Sequence, residues 1–275
     1  MNDFIIKNLD HIYSVEKQLG RGGQGIVYLA QDENGSKVAL KKIKFKDQES
    51  INDVIKEIKV LKNLSEKMCH PNILCYKRIF QNDGFVYLVT DYIGGNTFFE
   101  TVQTIRKDHN DKDFHNIFLE LCRSLLCTLD FIHNKGIVHA DIKPENVLIR
   151  KVNESYQPVI IDFGLSCMTK DKSCEKVVGT LEFVAPEILT DKVIYPESDL
   201  WSLGIMLYEA YFGSTPWPKE LLVSNKMLLL YITEGNYKFN IQTGNLLLNI
   251  LLETLLHKDY RYRMSAKYLC DILNN

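Results

Sequence analysis

The hydrophobic period of this chain changes near Ile93-Gly94-Gly95-Asn96, and no other feature constrains the fold as strongly. Before that point the sequence carries short β-prone runs at residues 14–19, 26–31, 37–44, 72–80 and 85–92. The second and third flank Asp32-Glu33-Asn34-Gly35-Ser36, whose Asn-Gly is a hairpin signal, and the last two flank Gln81-Asn82-Asp83-Gly84. One stretch among them is helical: Ile51, Val54, Ile55, Ile58, Leu61 and Leu64 recur at helical spacing, with Ser50 as N-cap and Asp53 three residues on. After residue 96, Phe114, Ile117, Phe118, Leu121, Leu125, Leu129 and Ile132 trace one face of a long helix that stops at Asn134-Lys135-Gly136. Residues 200–211 are apolar nearly all round, as in a helix buried on every side. The expected architecture is α+β and bilobal. A small β-rich lobe with one helix, about 13–92, meets a larger and mainly helical lobe, about 97–275, through a hinge at about 92–96, all within one domain spanning 1–275.

Composition bounds the rest. A length of 275 residues suffices for a core of this kind without staples. Thirty-three basic against 35 acidic residues give no global pull toward nucleic acid or a membrane surface. Charges at Asp3, Lys7 and Asp10 leave no secretory h-region over residues 1–10, so no leader is expected, and the greasiest run, 246–256, is broken by Asn249 and Glu253 and is too short to span a bilayer. Seven cysteines show no C-x-x-C or Cys/His ligand spacing, so they are expected to be reduced thiols of a cytoplasmic or nuclear protein. A monomer that engages neither nucleic acid nor membrane is expected.

Four segments carry chemistry. Gly20-Arg21-Gly22-Gly23-Gln24-Gly25 fits G-x-G-x-x-G, a pattern that is weak alone. In a dinucleotide-binding unit the glycines open a helix; here Ile26-Val27-Tyr28-Leu29 continues as a strand, which leaves a hairpin whose bare backbone can lie over phosphates. Val38-Ala39-Leu40-Lys41 places a lysine on the next strand. Glu57 lies on the apolar face of the helix, where a carboxylate is costly unless paired, and Lys41 is the expected partner. His139-Ala140-Asp141-Ile142-Lys143-Pro144-Glu145-Asn146 gathers a carboxylate, a cation and an amide within six residues. Asp162-Phe163-Gly164 then ends an apolar strand with a cation ligand of hard oxygen.

Together these residues resemble the eukaryotic-type protein kinase family from about Tyr13 to Leu273. Gly20, Gly22, Gly25 and Val27 match its glycine-rich loop, Lys41 its strand lysine and Glu57 its helix glutamate. His139, Asp141, Lys143 and Asn146 match the catalytic loop, Asp162-Phe163-Gly164 the DFG motif and Ala185-Pro186-Glu187 the APE motif. Asp199 resembles the aspartate that anchors the catalytic loop, and Arg263 the arginine that pairs with the APE glutamate. The resemblance implies ATP bound by Leu19, Gly20, Gly22, Gly25, Val27, Ala39, Lys41 and Glu57 together with the gatekeeper Thr90 and the hinge residues Asp91 and Ile93. It implies Mg²⁺ on Asn146 and Asp162. Asp141 would orient and deprotonate the substrate hydroxyl, Lys143 would neutralise the γ-phosphoryl group, and Lys41 would hold the α- and β-phosphates. Lys143 and Gly179-Thr180 suit the serine/threonine branch, whose partners are proteins bearing Ser or Thr. The competing readings are a pseudokinase scaffold and a small-molecule kinase. Against the first stand Lys41, Asp141 and Asp162; against the second stand the APE motif, Arg263 and Gly179-Thr180.

Where the family has His-Arg-Asp this chain has Ala140 in the middle, so it is of the non-RD kind and lacks the arginine that commonly receives an activation-loop phosphate. Lys176 stands three before Gly179, where many relatives carry the phosphorylated threonine. The segment 165–184 is therefore expected to order without phosphorylation. Ser166, Thr169 and Ser173 remain minor candidates for autophosphorylation, and Cys167 with Cys174 for a redox pair. Glu145 and Glu209 fall where some relatives bind a substrate arginine. The motifs run nearly from end to end, so no regulatory tail is expected.

Overall fold

A computed structural model describes residues 5–8, 11–22, 25–44, 47–170, 174 and 179–274. The chain divides into two compact units, Met1–Gly94 and Gly95–Asn275.

The first unit holds β1 (Ile5–Asn8), β2 (His11–Gly22), β3 (Gly25–Gln31), β4 (Lys37–Ile43), α1 (Gln48–Ser65), β5 (Tyr76–Asn82) and β6 (Phe85–Asp91). The strands form one antiparallel sheet in the order β1-β2-β3-β4-β6-β5. The β3–β4 turn is where Asn34-Gly35 places it: Gly35 has φ 77°, and the Asp32 carboxylate accepts the backbone N–H groups of Asn34 and Ser36. One face of the sheet buries Val15, Val38, Leu40 and Val89 with the stacked rings of Tyr13, Phe80 and Tyr87. Strand alternation therefore sends Ala39 and Lys41 to the opposite face of β4.

Three local expectations shift. Residues 70–73 form a turn, with Ile73 N–H bonded to the His70 carbonyl, so the strand expected from residue 72 begins at Tyr76. Strand β1 has too few residues to signal itself. Helix α1 starts at Gln48, which puts Ser50 inside its first turn rather than at the cap, and its buried stripe is Val54, Glu57, Val60, Leu61 and Leu64, whereas Ile55 is exposed.

The second unit begins with β7 (Asn96–Thr97), α2 (Phe98–Asp108), α3 (Asp111–Asn134) and β8 (Ile137–Val138). It continues through β9 (Val147–Val152), β10 (Ser155–Ile160) and β11 (Cys167–Met168) to α4 (Pro186–Thr190), α5 (Pro196–Phe212), α6 (Asn225–Glu234), α7 (Leu246–Leu255) and α8 (Ala266–Asn274). A small sheet runs β10-β9-β7, and β8 pairs with β11. The β9–β10 hairpin turns at Asn153 and Glu154, both with positive φ, the geometry that matches strand twist. Helix α3 buries Phe114, Phe118, Leu121, Leu125, Leu129 and Ile132. Helix α5 is buried on nearly all sides, as its sequence requires, and approaches α7 so closely that a Cβ on Gly204 would sit 2.9 Å from Leu255 and Leu256 atoms. Among the described residues no helix is long and apolar enough to cross a membrane.

The cysteines depart from expectation. Cys69–Cys75, Cys127–Cys270 and Cys167–Cys174 are joined as disulfides, and Cys122 remains a free thiol, pushed up in pKa by complete burial. Sequence spacing misses such pairs because tertiary packing makes them. Cys127 on α3 and Cys270 on α8 are 143 residues apart in the chain, with Cα atoms 5.1 Å apart. The thiol argument for a reducing compartment therefore falls away.

Candidate active site

In the first unit the candidate residues gather on β2, β3, β4, β6 and α1. Lys41 Nζ donates to both carboxylate oxygens of Glu57, at 2.8 and 2.9 Å, and the two side chains are 15% and 4% exposed. The helix period that put Glu57 among Val54 and Leu61 thus delivers a buried carboxylate to a strand lysine, and each ion offsets the other's desolvation. Register places Val27 beside Lys41 and Ala39 beside Thr90. Thr90 and Ile93 are buried, Leu19 is exposed, and Asp91 pairs with Lys77 at 2.8 Å. Gly20 pairs with Val27, and Gly22 with Gly25; Gly23 and Gln24 lie outside the described residues. A side chain at Gly20 or Gly22 would meet nothing, so no packing within the unit demands a glycine there. Gly25 is different. A Cβ there would run into the Lys42 carbonyl.

In the second unit Asp141, Lys143, Asn146 and Thr180 form one hydrogen-bonded cluster. The Asp141 carboxylate pairs with Lys143 Nζ at 2.9 Å, accepts Asn146 Nδ2 at 2.8 Å, and accepts the Thr180 hydroxyl at 3.2 Å and its backbone N–H at 3.3 Å. Lys143 Nζ also donates to Thr180 Oγ1 at 2.7 Å. Pro144 opens the one-turn helix over Pro144–Asn146 that lets Asn146 fold back. Asn146 Nδ2 donates to both the backbone carbonyl and the carboxylate of Asp141, which leaves its Oδ1 as an acceptor for something else. Asp162 is exposed, at φ 59°, with a carboxylate oxygen accepting the Gly164 N–H. A carboxylate and an amide oxygen are hard donors that suit Mg²⁺ sharing its shell with phosphate. Among the described residues no group of three or more His, Cys, Asp or Glu side chains makes a protein-only cage.

Asp199 holds this loop. It is fully buried, and its carboxylate accepts the backbone N–H groups of His139 and Ala140 at 2.9 and 2.8 Å. Ala140 sits at φ 65°, a strained conformation for a residue with a Cβ, and its bond to Asp199 helps to hold it there. The third partner of Asp199 is His133 Nε2 at 2.9 Å, which sequence reading missed because His133 resembles any polar residue at a helix end. Arg263 meets Glu187 as a bidentate pair at 2.7 and 3.0 Å, its side chain wholly buried, and donates further to the carbonyls of His257, Lys258 and Glu197.

Ser166 is fully buried and donates to the His139 carbonyl, so it is no accessible phosphorylation site. Thr169 is exposed; Ser173 and Lys176 lie outside the described residues. Glu209 carries an oxygen with no hydrogen-bond partner. Burial and the charges of Glu145 and Glu182 push its carboxyl up to about 7.

A family model described as "Protein kinase domain" matches residues 13–272. The chain is 31% identical over 236 residues to NUAK family SNF1-like kinase 2 of Rattus norvegicus, covering 84% of this chain and 35% of that protein. It is 33% identical over 237 residues to a probable myosin light chain kinase of Dictyostelium discoideum, covering 84% and 64%. To calcium-dependent protein kinase 24 of Oryza sativa subsp. japonica it is 35% identical over 217 residues, covering 77% and 40%. The chain thus spans about a third to two thirds of the length of these relatives.

Proposed function

The chain belongs to the protein kinase family, and from that premise we propose that it transfers the γ-phosphoryl group of ATP to serine and threonine hydroxyls of protein substrates. The observation that carries this reading is the Asp141–Lys143–Thr180 triangle, which places a carboxylate and an ammonium on one hydroxyl-bearing side chain. A substrate hydroxyl offered to Asp141 would find a base and a charge already held in place, and phosphoryl transfer depends on positioning and charge neutralisation more than on covalent chemistry.

In this reading Lys41, held by Glu57, binds the α- and β-phosphates, and the bare backbone at Gly20 and Gly22 covers them. Asp162 and Asn146 hold Mg²⁺, which when bound neutralises charge on the phosphates. Asp141 orients the hydroxyl and takes its proton, while Lys143 offsets charge on the transferred group. Similarity to kinases whose names include myosin light chain and calcium-dependent kinases favours the serine/threonine branch. The acidic group Glu145, Glu182 and Glu209, with its unpartnered Glu209 oxygen, favours substrates with basic residues near the acceptor. Ala140 offers no charge to an activation-loop phosphate, so activity does not depend on one.

Incubation with Mg²⁺, labelled ATP and a library of basic and acidic peptides tests this. Label on Ser or Thr of basic peptides is expected. Label confined to tyrosine would overturn the branch. Nucleotide binding without transfer would instead favour a scaffold.

A further inference from the structure

Helix α6 turns two faces in opposite directions, and only one is covered. Leu228 and Ile232 are buried, and Tyr231 packs edge-on against Trp217 and stacks on Tyr237. The other face carries Val223 in the turn leading in, then Met227 and Leu230, which are 83%, 50% and 43% exposed. Val223 precedes the N-cap Ser224, the position from which an apolar side chain ordinarily packs against the fourth helical residue, Leu228. Leu228 is buried elsewhere and Val223 stays in solvent.

Val223, Met227, Leu230 and Glu234 follow one another at spacings of four, three and four, the seam along which two helices pack. Lys226 and Glu234 are exposed on the same side, and neither has an ion-pair partner among the described residues. They stand symmetrically about Leu230, four residues before it and four after.

We propose that this face binds a second copy of the chain, with the two α6 helices antiparallel across a two-fold axis at Leu230. The charges select that partner. Opposite signs placed evenly about one residue become self-complementary under a two-fold, the condition an isologous contact must meet. Lys226 of each copy then opposes Glu234 of the other, and Met227 and Leu230 close the seam between them. Three exposed apolar side chains per copy make a smaller contact than the roughly 800 Å² per partner of a standard interface, so the dimer is weak and reversible. The monomer expected from the sequence is then the dilute form.

Sedimentation equilibrium of the full chain over rising concentration tests the pairing. The mean mass is expected to climb from 31.8 kDa toward twice that value. Lys226→Glu and Glu234→Lys alone each oppose like charges twice and are expected to raise Kd at least about tenfold. Mixed one to one, the two variants carry two acidic ends against two basic ends and are expected to pair at least as well as the wild type. Misfolding cannot produce that recovery. A wild type that stays monomeric throughout, single variants that dimerise unchanged, or a mixture that fails to associate would each overturn the proposal.

Discussion

Two buried carboxylates, one in each unit, are held in contrasting ways. Glu57 receives two bonds from the flexible side chain of Lys41. Asp199, more deeply buried, faces two backbone N–H groups and a histidine. A pair of side chains can form or break when a helix shifts, at a cost set by two ions. A carboxylate bound to backbone donors moves only if the loop refolds. The first arrangement suits a part that can be adjusted, and the second suits a fixed frame.

The largest effects expected from breaking this contrast are catalytic. Lys41→Met and Asp162→Asn should each lower phosphoryl transfer by about a thousandfold or more, on the order of 4 kcal/mol of transition-state stabilisation. Asp162 is exposed, so its variant should melt like the wild type, whereas Lys41→Met takes the ammonium away from the buried Glu57 carboxylate and should melt earlier unless Glu57→Leu is added. Peptide phosphorylation rates with thermal melts of all three variants separate the two outcomes. Next come the frame residues. Arg263→Ala leaves the buried Glu187 carboxylate without its cation, at about 3–5 kcal/mol, and an unchanged melting curve would refute that pairing.

A smaller effect is expected at Glu209, whose carboxyl is raised from the ordinary carboxylate range to about 7. A raised acid keeps its proton in the folded state while the unfolded chain has lost it. Stability should therefore be fullest below about pH 4.5 and decline until about pH 7, above which the penalty is complete. Glu209→Gln should flatten that decline and add about 1–2 kcal/mol at pH 8, after allowance for partial exposure. Urea titrations at pH 5 and pH 8 read this directly, and the same variant should weaken the preference for basic peptides. The smallest expected effect is none. Phosphatase treatment should leave activity unchanged, and its loss would show that a phosphate does order the segment after Asp162.

Much of this was legible because the relevant residues are close in sequence or periodic. Lys143 and Asn146 lie two and five residues after Asp141, and Glu57 betrays itself as the charged member of an apolar helix stripe. His133 was not legible, since its only distinguishing property is a bond to Asp199, 66 residues away. Gly179-Thr180 reads from sequence only as a branch marker, and the bonds of the Thr180 hydroxyl to Asp141 and Lys143 join residues 39 and 37 positions apart. Ile55 and Val60 exchanged places because period alone does not say which edge of a stripe the neighbouring sheet will cover.

The sequence by itself determined the change from strands to helices, the hairpin turn at Asn34-Gly35 and the buried course of α5. Local sterics and hydrophobic period act over a few residues, and these features need nothing more. Only the tertiary structure decided that Asp199 is met by His133, that Cys127 reaches Cys270, that Ser166 is sealed from solvent and that one face of α6 stays uncovered. Each depends on which distant surfaces come together, and the free energy that selects them belongs to the packed core as a whole rather than to any local run of residues.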